Sequence, residues 1–312
     1  MVMSKLRFFI LSGTALLLAL ALVPATARAE DTGCPVGKSG HQITRSPSGR
    51  CDVDETPPSP QTQRVTAAKK AAAEAYAAYK DGTASQQQFD AALNRLEAVA
   101  GVPPKNTTKG SGIFAYGYVG VSSKAQINYY YCGPATAQDI LSYLGPTTSN
   151  KYDTVTGAYD AFNGDDTHDQ TNLANSFWLA TDMYGGTNWG DAYMPFTLNG
   201  WHGGSWYVGA NSYNLSSSAA WSDVDFDTNY GHPVAENIYY GESTYYPDGF
   251  TPRLEGYQHW DVIYQTFSAS GAQWASVAQP WPYPGAGTRT PYQTWSWSNV
   301  WKAIAANYGI VW

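Results

Sequence analysis

The sequence predicts an α+β protein: a helical hairpin followed by a larger domain of mixed helices and strands. Three observations carry that reading. Residues 62–101 are rich in Ala and repeat their apolar residues at helical spacing. Beyond residue 112, short runs of alternating apolar and polar residues read as strands. Two stretches of that second region, one after Cys132 and one near residue 300, keep a helical pattern instead.

The first 29 residues read as a secretory signal. Lys5 and Arg7 form a charged start, "FFILSGTALLLALALV" an apolar centre, and Ala27-Arg28-Ala29 a cleavage site of small-residue type. The apolar run is short and broken by Ser12, Gly13 and Thr14, which disfavours a membrane anchor. A secreted chain is therefore expected, with no membrane contact after cleavage. Cleavage removes Lys5, Arg7 and Arg28 and no acid. That leaves 15 of the 18 basic residues against 25 acidic ones, a net charge of −10. Nucleic acid, which demands a basic footprint, is excluded as a partner.

Residues 30–61 read as a flexible, polar arm ending in the linker "DETPPSPQTQ". The arm holds Cys34 and Cys51, which can close a small disulfide loop in an oxidising compartment. In the hairpin, 62–101, the first helix aligns Val65, Ala68, Ala72, Tyr76 and Tyr79 on one face. Ser85 caps a second helix carrying Phe89, Leu93, Leu96 and Val99, and Gly101 and Pro103-Pro104 end it. Such a hairpin is too small to hold a core of its own, so it docks on something or acts as a removable segment or spacer.

The domain spanning 115–312 holds the expected strands "IFAYGYVGV", "SWYVGA", "PVAENIYY" and "HWDVIYQTF" and the helical stretches "ATAQDILSYL" and "SWSNVWKAIAANYG". "SDVDFDTNYGHPV" sets Asp223, Asp225, Asp227 and Asn229 at alternate positions. It lacks the Gly and Glu of a calcium loop, so it reads as a solvated acidic loop; no metal and no cofactor are expected.

Chemistry concentrates at Cys132. Gly133-Pro134 leads into a helix, so the thiol sits at a helix N-terminus, where the dipole favours a thiolate. A buried, inert cysteine is the alternative. Gln126, six residues upstream, can donate a side-chain hydrogen bond beside the Cys132 backbone N–H, an oxyanion hole for acyl transfer. Of five histidines, His41, His168, His202 and His232 lie in arm, loop or turn contexts, whereas His259 opens a strand and would be rigidly held.

The pattern Gln126-x5-Cys132-Gly-Pro-Ala, Gly231-His232-Pro233-Val234, and Gly256-x-x-His259-Trp-x-Val-Ile resembles the papain-like cysteine peptidases. The branch it is most similar to is that of the bacteriocin-processing, double-glycine-leader peptidases and their secreted stand-alone relatives, over about residues 115–283. The resemblance implies a nucleophile helix packed on an antiparallel sheet, Cys132 as nucleophile, His259 as base and Gln126 as oxyanion donor, with no catalytic role for His232. The family sets an Asp, often before Pro, some 15–20 residues after the histidine; here Gln279-Pro280 stands there. The Gln279 amide oxygen can still accept Nδ1–H of His259. Asp261, two residues beyond His259 on the same face of the strand, is the rival orienter, with poor geometry. The expected substrate is a peptide or protein, or a cell-wall peptide. A monomer is expected, and a non-catalytic protein that binds ligands in an aromatic groove is the competing reading.

Overall fold

The computed structural model describes residues 43–45, 51–54, 57–102, 117–145, 151–153, 158–160, 162, 164–183, 186–240, 257–281 and 291–312. The signal sequence and Cys34 lie outside them, as does the Cys51 side chain, so the expected Cys34–Cys51 disulfide does too. No disulfide occurs among the described residues.

The elements run in the order β1 (Ile43–Arg45), β2 (Cys51–Asp54), α1 (Pro60–Lys80), α2 (Gln86–Ala100), β3 (Gly117–Tyr118), α3 (Cys132–Leu144), β4 (Lys151–Asp153), β5 (Ala158–Asp160), α4 (Asp166–Ala174), α5 (Met194–His202), β6 (Gly209–Asn211), α6 (Ser217–Tyr230), β7 (Val234–Tyr240), β8 (Tyr257–Ala269), β9 (Ala272–Ala278), β10 (Tyr292–Ser296), α7 (Trp297–Ala305) and β11 (Gly309–Val311). The arm expected to be flexible contains a strand pair: β1 and β2 pair antiparallel, with Arg45 opposite Cys51.

The hairpin helices form where their end signals stand. Ser59 caps α1, and Pro60 takes its first turn, where a missing N–H breaks no bond. Ser85 and Gln88 make a reciprocal capping box at α2. The apolar faces do not form a core by themselves. Val65, Ala68, Ala72, Ala73 and Tyr76 are buried together with Lys69, because α1 packs on α6. Lys80 pairs with Asp225 at 2.8 Å, Tyr230 hydrogen-bonds Glu97, and the backbone N–H of Ser205 donates to Ala100 O at 2.7 Å.

That packing corrects the reading of the acidic stretch. Asp223, Asp225 and Asp227 lie in helix α6 and all three are buried. Ser216 caps this helix and Gly231 ends it, leaving room for 14 residues between. The alternation of Asp with Val224 and Phe226 hid the helical face, since here acids and apolar residues alike are buried.

Seven strands make one antiparallel sheet, ordered β10-β9-β8-β7-β11-β6, with β3 also on β8. β8 is its longest strand, 13 residues, and pairs with β7 through Val234↔Ile263 to Tyr240↔Tyr257. Helices α3 and α6 pack against β8, and α7 against β7 and β9. Gly309 begins β11 at φ +143, where a Cβ would stand 2.0 Å from the carbonyl oxygen of Ala210. Only glycine lets β11 enter between β6 and β7. The expected strand at 205–210 shrinks to Gly209–Asn211: Val208 still exchanges two backbone hydrogen bonds with Trp312, but the Tyr207 N–H leaves the ladder and donates to Asn199 Oδ1 at 2.7 Å.

Candidate active site

α3 begins at Cys132, with Tyr131 as its N-cap and the first helical bond from Ala135 N to Tyr131 O, 3.0 Å. Pro134 is thus the third helical residue, a position whose N–H is still unpaired in any helix. A Cβ on Gly133 would meet Thr187 Oγ1 at 1.9 Å and Thr187 Cβ at 2.5 Å, so this turn of α3 is seated against the chain at 187 with no space for a larger residue. Cys132 is buried and in no disulfide. Its sulfur lies at the positive end of the α3 dipole. The apolar residues of α3, Ile140, Leu141 and Leu144, are buried. So are Thr136, Gln138 and Asp139, since α3 is enclosed on several sides.

The loop before Cys132 is fastened at many points. Gln126 is fully buried; its backbone N–H donates to Pro280 O at 2.9 Å. Ser123 Oγ donates to Gln279 O at 3.0 Å. Gln170, which sequence reasoning missed, accepts from Ile127 N at 2.9 Å and donates to Ala125 O at 2.8 Å and to Gln138 Oε1 at 3.0 Å. Its signal was faint: one glutamine in a polar stretch. The Gln126 amide donates one N–H to Asn128 O at 2.9 Å, while Oε1 has no hydrogen-bond partner among the described residues.

His259 stands at the start of β8, buried. Its Nε2 is 2.9 Å from Gln279 Oε1. An amide oxygen only accepts, so Nε2 carries the proton and Nδ1 is the basic nitrogen. This corrects the expected pairing, which had Nδ1–H facing the amide. Gln279, fully buried, then donates from Nε2 to Asp261 Oδ2 at 2.5 Å. The two rival orienters therefore form a chain: Gln279 touches the imidazole and Asp261 touches Gln279. Burial pushes His259 down to about 4, against a smaller upward effect of the Gln279 hydrogen bond. Burial likewise pushes Asp261 well up, helped by Glu236 directly opposite on β7 and by the nearby Cys132. Cys132 is thus within electrostatic reach of the Asp261 carboxyl, and α3 packs on the strand that carries His259.

Among the described residues, His202, His232 and His168 make contacts of their own. His202 and His232 meet edge to face at 5.8 Å, and His232 stacks on Trp206 at 3.9 Å. His168 contacts Asp169 at 3.0 Å. No group of three or more His, Cys, Asp or Glu among the described residues is arranged to hold a metal ion.

No family model matches this chain, and no curated protein is similar to it. Among solved structures, procathepsin L 3 from the larval midgut of Tenebrio molitor is similar over 82% of this chain and 93% of that chain, at 13% identity and a TM-score of 0.31. At that TM-score the likeness supports neither fold nor activity.

Proposed function

We propose that the protein is a secreted, papain-like cysteine hydrolase that cleaves peptide or amide bonds through an acyl-enzyme. The observation that supports it is the bond from His259 Nε2 to Gln279 Oε1. It leaves Nδ1 unprotonated on the strand against which the Cys132 helix packs.

In this reading His259 Nδ1 takes the Cys132 proton as sulfur attacks the substrate carbonyl carbon. The carbon–oxygen π pair moves onto oxygen, held by the Cys132 backbone N–H and the second N–H of the Gln126 amide. The oxyanion collapses, the C–N bond breaks, and Nδ1–H returns its proton to the leaving amine. Water then adds to the thioester carbon, giving a proton to His259. The C–S bond breaks and sulfur recovers that proton. The substrate is a peptide or a cell-wall peptide; the acidic chain suits no nucleic acid. We take the working unit to be a monomer.

One observation favours a second reading, an inactive binding protein: burial holds His259 near 4, which disfavours a resting thiolate–imidazolium pair. A peptide-like epoxide inhibitor and a panel of fluorogenic peptides and peptidoglycan fragments separate the two. Turnover abolished by Cys132→Ala, with the inhibitor's mass found on Cys132, supports the hydrolase. Full-length protein that turns over none of them and is not labelled, yet binds them equally well as Cys132→Ala, overturns it.

A further inference from the structure

Glu236 and Asp261 are directly opposite in the β7–β8 register, and both are fully buried. Among the described residues neither is in an ion pair. Two carboxyls buried on directly opposed positions with no cation between them cannot both be ionised, so the pair holds a proton. Asp261 Oδ2 is engaged otherwise, accepting from Gln279 Nε2 at 2.5 Å. Asp261 Oδ1 accepts no N–H or hydroxyl hydrogen bond from the described residues, and the same holds for both oxygens of Glu236. The shared proton therefore sits between Asp261 Oδ1 and Glu236.

An amide has the same shape at both ends, so sterics cannot decide which end of Gln279 faces the imidazole. Asp261 decides it. While Oδ2 is an acceptor, it takes the amide NH2 and turns Oε1 toward His259. A proton on Oδ2 would reverse the amide, present NH2 to Nε2, and drive the imidazole to its Nδ1–H tautomer. That tautomer has no lone pair for the thiol.

We infer that Glu236 and Asp261 are positioning residues: a one-proton carboxyl pair that keeps Asp261 Oδ2 an acceptor, fixes the Gln279 amide, and so sets which nitrogen of His259 is the base. The effect on rate rests on the hydrolase reading above; the effect on tautomer does not. Burial raises both carboxyls, and Glu236 adds to the rise of Asp261, which keeps a proton on the pair. Besides this pair and His259, Cys132 on α3 is the ionisable group that acts on Asp261.

The test is nitrogen-15 NMR of the full chain labelled at histidine. His259 should be the Nε2–H tautomer at pH 7. Glu236→Leu frees the Asp261 proton to move to Oδ2 and should shift His259 toward Nδ1–H. It should lower kcat by about 10- to 100-fold at unchanged KM, less than the ~10⁴ lost when a triad histidine is held in the wrong tautomer. Glu236→Gln donates to Oδ1 in place of the proton and should keep both tautomer and rate. Should Glu236→Leu not fold, infrared spectra decide. A protonated-carboxyl band at pH 7 must disappear in Glu236→Gln; an unchanged band overturns the inference, as does an Nδ1–H tautomer in the parent. Active parent enzyme whose tautomer and kcat are the same in Glu236→Leu removes this inference and keeps the hydrolase. A tautomer switch in a chain with no activity and no labelling of Cys132 does the reverse.

Discussion

Lys69 and Asp227 form an ion pair of 2.7 Å in which neither side chain is exposed. The ammonium also lies over the rings of Trp206 and Trp312, at 4.8 and 4.5 Å. A lysine from the hairpin thus ends inside the wall built by α6, the chain before β6 and the residue after β11. Burial lowers Lys69 to about 8 and raises Asp227, and each charge holds the other against that trend.

Removing one partner strands the other. Lys69→Met should cost about 3–5 kcal/mol in urea unfolding, the usual penalty of a lone buried charge. The double change Lys69→Met with Asp227→Leu should recover most of it. A chain beginning near residue 110 should fail to fold, where a removable inhibitory segment would leave a more active enzyme. An active, stable truncation, or a double variant as weak as the single, refutes this account of the hairpin.

Acid should be well tolerated by the chemistry. His259 acts as base only when neutral, and its pKa of about 4 keeps it neutral well below the usual 6.5. The acid limb of kcat/KM on a peptide amide is therefore expected near pH 4. A limb near 6.5 would mean that the ring is solvated in the working enzyme.

Stability should carry a different pH signature. Burial raises Asp223 to about 7 from 3.8, with Lys69 opposing. A raised carboxyl contributes stability that is complete below its unfolded pKa and is lost as pH rises through the folded one. Asp223→Asn should therefore be more stable than the parent at pH 8, by on the order of 1–3 kcal/mol, allowing for the lost attraction to Lys69 and about 1.4 kcal/mol per pKa unit. At pH 4 that advantage should vanish. Calorimetry at both pH values reads it; equal melting shifts would contradict the assignment.

Gln279→Ala removes the acceptor for Nε2–H. We expect kcat to fall by about 10²-fold with KM nearly constant, since the thiol and the imidazole can still exchange a proton when the ring happens to face correctly. Steady-state kinetics check this. A change confined to KM would assign Gln279 to substrate binding.

Much of this was legible in the sequence where local chemistry decides the outcome. Ser85 and Gly101 marked the ends of α2, Cys132-Gly-Pro marked the start of α3, and the β-branched and aromatic runs marked β7 and β8. Legibility ended where a residue's state depends on distant partners. Lys69 looks like a surface lysine until α6 is folded over it. Asp223, Asp225 and Asp227 look solvated until Lys69, Lys80 and Thr266 are brought to them. At the site, Gln279 and Asp261 read as rivals because a sequence shows two candidates for one place; only the cross-strand geometry shows them in series. Glu236 carried no signal at all, being one acid in an apolar strand.

Strand β11 joins β6 and β7 in the sheet, yet it is made after both of them and after every other element described. Until Gly309–Val311 leave the ribosome, β6 has no neighbour and the Lys69 site lacks Trp312. Completing the sheet must wait for residues 309–311 and the Lys69 site for Trp312, contacts far apart in sequence, the kind of topology that folds in milliseconds to seconds and not microseconds. For that interval the edge of β7 that β11 will cover stays open, an unpaired strand on which another chain could add.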